Sequence, residues 1–172
     1  QDASTNRQTL ESSNASLAAI GNGSFTVATV ARMNTVGGST GRGDSFLWES
    51  AGTDVVTVRF NNTTDDFRIF FRDGNANNVD QFSADSLWSA DQWYVMITTV
   101  DGNAITVYQD NSQVVTGDKT GLSIAVTKYA MMRPLDSDGS ISVGEQVIYN
   151  AALSTEDRTL LYDYLVAKWG LA

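Results

Sequence analysis

Short apolar runs, dense in β-branched and aromatic residues, recur along this chain and are broken by Gly, Asn and Asp. Runs of that kind, bounded by turn residues, predict strands. The clearest are Phe25–Arg32 (FTVATVAR), Val55–Phe60 (VVTVRF), Phe67–Arg72 (FRIFFR), Trp93–Val100 (WYVMITTV), Ala104–Gln109 (AITVYQ) and Ile141–Tyr149 (ISVGEQVIY). Weaker strands are predicted at Arg7–Glu11, Gln113–Val115, Leu122–Val126 and Tyr129–Met132. Asp101-Gly102-Asn103 reads as a hairpin turn, because Asp and Gly tolerate the positive φ of tight turns. The only proline, Pro134, stops the strand before it. No linker, repeat or low-complexity stretch interrupts residues 1–172, so the pattern predicts one all-β domain, a two-sheet jelly-roll sandwich.

The last segment changes period. Ser154 is a good helix N-cap, and Asp157, three residues on, completes a capping-box variant with acid at the positive end of the dipole. Leu161, Tyr164, Leu165 and Lys168 repeat at helical spacing, with Leu160 and Trp169 widening the stripe. Gly170 supplies a left-handed stop. A helix with such a stripe has to lie on something, and the outside of the sandwich is the expected place.

Composition removes whole classes of function. Eleven Lys and Arg stand against 20 Asp and Glu, a net charge of −9, which repels a phosphate backbone and excludes nucleic acid as a partner. The chain has no cysteine and no histidine. Disulfides, thiolate metal sites, His-ligated zinc and a Ser-His-Asp triad are therefore ruled out. No apolar run reaches membrane-spanning length, so no membrane insertion is expected. The chain begins at Gln1, as a mature product or an excised domain would. An acidic, cysteine-free chain rich in Asn, Ser, Thr and Gly suits a secreted, cell-surface or virion-surface protein.

The tail carries a resemblance. GEQVIYNAALSTEDRTLLYDYLVAKWGL resembles the C-terminal signature of concanavalin A-like, laminin-G-type jelly-roll domains. Gly144, Glu145, Tyr149, Leu153, Ser154, Tyr164, Leu165, Lys168, Trp169 and Gly170 stand at the matching places. GNGSFTVATVAR is similar to the first long strand of such domains, and WYVMITTVDGNAITVYQDN to their hairpin. The resemblance implies a lectin-like recognition module, with a glycan or a protein surface as partner. A structural virion module bound to protein and a small glycan-active enzyme are the alternatives it leaves.

Candidate chemistry is sparse. Glycosidases of the resembled fold carry a Glu-x-Asp-x-x-Glu run, absent here; Glu49 and Glu145 are not paired in sequence, and a non-catalytic protein is expected. The resemblance implies calcium in Asp- and Asn-rich loops. Asp73, Asn75 and Asn77 form one candidate ligand set and Asp136 and Asp138 another, with plain Asx turns as the competing reading. Arg42-Gly43-Asp44, an adhesion tripeptide, reads more simply as a flexible loop, and Asn14, Asn22, Asn61 and Asn62 head glycosylation sequons. Aromatic faces stack on sugar rings. Trp48 and Trp88, with Arg72, are the candidate ligand-binding residues, whereas Trp93 is expected in the core.

Overall fold

The computed structural model describes residues 10–12, 15–33, 42–50, 53–61, 66–134 and 141–171. In chain order, β1 (Leu10–Ser12) precedes a short helix, α1 (Ala15–Ile20). Next come β2 (Phe25–Met33), β3 (Arg42–Glu49), β4 (Val55–Asn61), β5 (Asp66–Arg72) and β6 (Asn78–Phe82). Then β7 (Trp93–Asp101), β8 (Ala104–Gln109), β9 (Ser112–Asp118), β10 (Lys128–Pro134) and β11 (Ile141–Tyr149) lead to the terminal helix, α2 (Thr155–Trp169). The strands form two antiparallel sheets. Sheet A has the order β1-β10-β3-β4-β5-β6, and sheet B the order β11-β2-β7-β8-β9. The sandwich with a C-terminal helix expected from the sequence is what the chain builds.

Three differences have physical causes. The tripeptide Arg42-Gly43-Asp44 was expected in a flexible loop, yet it opens β3, a strand between β10 and β4, and pairs Arg42↔Asn61, Gly43↔Phe60 and Asp44↔Arg59. Phe46 and Trp48 alternate into the core from it, a period-two signal masked by the flanking glycines. β6 was missed because an edge strand reading Asn-Val-Asp-Gln-Phe sends only Val79 against the core. Conversely, Leu122–Val126 is not a strand. Its amides are taken by side chains instead: Ser123 N donates to Asp73 Oδ2 (3.3 Å), Ala125 N to Asp54 Oδ1 (3.3 Å) and Val126 N to Asn22 Oδ1 (2.8 Å). Asn22 also donates to Val126 O (3.3 Å), so this sequon amide is committed to the fold.

The main core lies between the sheets, where Phe25, Phe46, Trp48, Phe60, Phe67, Ile69 and Phe71 are all but fully buried. A second core lies outside sheet B. There Ala28 and Val30 of β2, Val95 and Ile97 of β7, and Leu161 and Leu165 of α2 pack together. β2 and β7 are thus apolar on both faces, which is why they read as continuous hydrophobic runs. The helix is the cover for the outer one.

Its stripe is narrower than the periodicity predicts. Leu161 and Leu165 are buried, but Leu160 is 61% exposed and Tyr164 53%. Arg158 is buried in their stead, its guanidinium 3.6 Å over the Tyr108 ring and its Nη1 donating to Asn111 Oδ1 at 2.9 Å. Both caps behave as read. Asp157 N donates to Ser154 Oγ (3.1 Å), and Gly170, at φ 62°, donates its N–H to Val166 O. Trp169 lies flat on Gly144, where an added Cβ would come within 2.6 Å of the ring. Trp93, expected in the core, lies half-buried against the second core on the helix side, its ring centroid 5.8 Å from that of Trp169.

Leu165→Ala is expected to lower the unfolding free energy by about 2–5 kcal/mol, the usual cost of a cavity at a fully buried leucine. Leu160→Ala should change it by less than about 0.5 kcal/mol, as at an exposed surface position. Urea melts of the two variants check this, and equal losses would contradict the packing described.

Candidate recognition surface

Two of the three expected ligand contacts are inside the protein. Trp48 is fully buried, with Phe25, Phe46 and Tyr129 rings at 4.8, 5.3 and 5.0 Å and no room at Gly21 for a Cβ against its indole. Trp88 is 3% exposed, edge-on to Phe60, and its Nε1 donates to Asp66 O at 3.3 Å. Its polar neighbours in the sequence stay at the surface while the ring turns inward, so neither tryptophan can stack on a sugar. Arg72 is at the surface. Its Nε donates to Thr53 O at 3.0 Å beside a hollow of about 210 Å³ bounded by Thr53, Arg72, Asp73, Gly74 and Ala76.

The first candidate calcium loop is tied into the fold through Asp73. Asp73 is buried, and its Oδ1 accepts from Asn75 N (2.9 Å) and Asn77 N (3.0 Å). Its Oδ2 accepts from Asn77 Nδ2 (3.0 Å) and Ser123 N (3.3 Å). Four donors on two oxygens make an Asx turn that also clasps the 119–127 connection. Asn77, chiefly, holds the Asp73 carboxyl below its ordinary value. Asp54 does the same from the facing loop. Burial raises its pKa, but bonds from Ser50, Thr53, Ala125 and Gly74 outweigh that and leave it lowered. Among the described residues, no group of three or more acidic side chains is placed to hold a metal. Asp136 and Asp138 lie outside the described residues.

The outer face of sheet A carries the chemistry. Because Phe67, Ile69 and Phe71 point into the core, Arg68, Phe70 and Arg72 of β5 point out. Register extends them into rows. One runs Lys128, Glu49, Val55, Arg72, Asn78; the next Ala130, Leu47, Thr57, Phe70, Asp80; and the third Arg133, Asp44, Arg59, Arg68, Phe82. The guanidinium carbons of Arg59 and Arg68 stand 4.6 and 4.9 Å from the Phe70 centroid, and that of Arg68 stands 5.1 Å from Phe82. Asp80 fixes Arg68 by a two-pronged bond, Nε to Oδ1 and Nη2 to Oδ2, both 2.6 Å. Phe82 is 50% exposed at the sheet edge. The sequence holds this signal in FRIFFR, whose alternate positions are Arg, Phe, Arg.

A second exposed surface lies between α2 and β11. Tyr149, Leu160, Tyr164 and Trp169 are four of the five large hydrophobic residues exposed among those described. They border or adjoin a groove of about 530 Å³ that also touches Glu145, Val147 and Leu153. Glu145 is not a free acid in it: Lys168 Nζ and Trp169 Nε1 each donate to it at 2.9 Å, and those bonds, Lys168 first, lower its pKa.

No family model and no curated protein matches this sequence. Solved structures do. The chain is similar to the binding domain of botulinum neurotoxin serotype D, at TM-score 0.70 and 10% identity over 95% of this chain and 42% of that one. It is similar to the carbohydrate-binding module CBM66 from Bacillus subtilis, at TM-score 0.57 and 13% identity over 73% of this chain and 74% of that one. It also resembles a Trypanosoma rangeli sialidase solved with the inhibitor DANA, at TM-score 0.62 and 16% identity over 83% of this chain and 23% of the sialidase. At such identities the likeness is one of fold. The chain spans less than a quarter of the sialidase and about two fifths of the toxin domain.

Asp73 and Asp54 have pKa values lowered by folding, so their contribution to stability is complete above the unfolded value, about 3.9, and is lost as pH falls through the still lower native values. Thermal melts from neutral pH down to strong acid should therefore show a loss of stability below that value. Asp73→Asn should start less stable and lose less over the same interval. An unaltered acid limb in that variant would contradict the clasp.

Proposed function

We propose that this chain is a non-catalytic, lectin-like recognition module of the concanavalin A-like, laminin-G type, belonging to a secreted, cell-surface or virion-surface protein. Its ligand is a glycan, and the outer face of sheet A over β4, β5 and β6 is where it binds. The carrying observation is the ladder in which Arg59, Phe70, Arg68 and Phe82 alternate guanidinium and ring, ending on a half-exposed ring. Rings stack on the apolar face of a pyranose, and guanidiniums donate in-plane hydrogen bonds to its oxygens. The carbohydrate-binding module and the serotype D toxin domain solved with N-acetylneuraminic acid lend support by shared fold.

Catalysis is not part of the proposal. Glu49 lies on sheet A and Glu145 on sheet B under the helix, so they do not form the facing pair that glycoside hydrolysis needs. Binding through the ladder needs no metal at the 73–77 loop.

A second reading has its own observation. The gathering of Tyr149, Leu160 and Tyr164 along the α2–β11 groove favours a structural module that docks on protein, such as a capsid-decorating or tail-fibre domain.

Phe82→Ala should weaken binding to a glycan-array hit by about tenfold, since a stacking contact of about 1.4 kcal/mol corresponds to that factor. Tyr164→Ala should leave the affinity unchanged. The reverse pattern would move the site to the groove and favour the second reading.

A further inference from the structure

We infer that the outer edge of β11 and the flank of α2 beside it form a seat for one added β-strand, supplied by a protein partner whose segment alternates apolar residues and carries a basic side chain. The seat is separate from the glycan face; it rests on the second reading above, whose partner it specifies. β11 is an outer strand of sheet B, and among the described residues it pairs only with β2. Alternate residues of an edge strand turn their N–H and C=O groups away from the sheet, which makes the edge a template for another strand. A bulge interrupts β11 between Val143 and Glu145, and from Glu145 to Tyr149 the register with β2 is regular. That stretch is about 13 Å long. Its single charged side chain, Glu145, is already tied to Lys168 and Trp169.

The helix dictates what kind of strand fits. α2 runs antiparallel to β11: its start, at Leu153 and Asp157, shares the groove with Tyr149, and its end, at Lys168 and Trp169, reaches Glu145. Leu161 and Leu165 pack on β2 and β7. Leu160 and Tyr164, on the flank that borders the groove, stay exposed because the sheet ends at β11. One more strand, about 4.8 Å beyond β11, would widen the sheet beneath that flank. Side chains on one face of a strand recur about every 6.8 Å, and two helical residues four apart, as Leu160 and Tyr164 are, stand about 6 Å apart along the axis. Two alternate apolar residues therefore meet them in turn. Asp157 continues the same wall one turn earlier, and among the described residues its carboxylate is bonded only by the Ser154 hydroxyl, at 2.7 Å. A Lys or Arg two residues beyond the apolar pair reaches it. The net charge of −9 favours the same choice, because it draws in a cationic segment and repels a second copy of the chain.

The test is a chemical-shift titration of the full, isotope-labelled chain with the capped hexapeptide Thr-Val-Thr-Val-Thr-Lys and with its reversed sequence. One of the two should perturb the amides of residues 145–149 and 157–164, the first if the added strand is parallel to β11 and the second if it is antiparallel. N-methylating the Val residues and N-methylating the Thr residues should differ: one set abolishes binding and the other is tolerated, because residues on one face of a strand turn their N–H groups to one edge. Leu160→Ala should weaken binding about tenfold, the scale of burying one leucine. Asp157→Asn should erase the advantage of the peptide over its Lys-to-Gln counterpart. An equal effect of the two N-methylated sets, or equal binding of a peptide with its valines at helical spacing, would overturn strand addition while leaving the groove a docking surface. Binding indifferent to Leu160→Ala would remove the groove and the second reading with it, and no binding by either peptide would overturn the seat. In the peptide-free chain, alternate amides of 145–149 should exchange rapidly with solvent. Protection of them all would overturn the proposal: if it depends on concentration, the edge belongs to a second copy, and if not, to the chain itself.

Discussion

Two-sided burial of β2 and β7 is the constraint on which the rest of this structure depends. Phe25, Val27 and Ala31 face the inter-sheet core while Ala28 and Val30 face the opposite way, and the residues of β7 divide likewise. Neither outward set could stay in water without a cost of roughly 1.5–3 kcal/mol for each large apolar side chain. The terminal helix removes that cost, and the details at its ends follow from holding it there. Thr26 donates to Ala151 O and accepts from Leu153 N, both at 2.9 Å, fixing the approach to the helix. Gly144 makes room for Trp169, and Glu145 ties down Lys168 and Trp169. The helix covers the outer face of sheet B over β2 and β7, and the outer face of sheet A presents Arg59, Phe70, Arg68 and Phe82.

The acidic loops belong to the same economy of backbone groups. A segment such as 122–126 needs partners for its amides, and among the described residues no strand pairs with it. Asp54, Asp73 and Asn22 take that place. Carboxylates so occupied resemble calcium ligands in sequence, being Asp and Asn at short spacing in a loop, but their lone pairs already point at N–H donors.

Strand positions, the hairpin at Gly102 and both caps of α2 were legible because each rests on local chemistry: alternation, positive φ at glycine, and a side chain reaching its own helix end. What was not legible depends on contacts distant in sequence. Trp48 and Trp88 look alike in the chain to any exposed tryptophan, and only packing against Phe25 or Phe60 decides their burial. Leu160 lies on the flank of the helical stripe, and whether a flank is covered depends on the width of the sheet beneath. The ladder is an intermediate case. Arg68, Phe70 and Arg72 announce one face by their spacing, but their joining to Arg59 and Phe82 is a matter of register.

The most direct measurement of the central claim is a map of backbone amide chemical shifts while an array-identified saccharide is titrated into the labelled chain. The account predicts that the perturbed amides cluster in β4, β5 and β6 around Arg59, Phe70 and Phe82, with α2 and β11 silent. Shifts confined instead to Tyr149, Leu160 and Tyr164 would contradict it and make the helix groove the recognition surface.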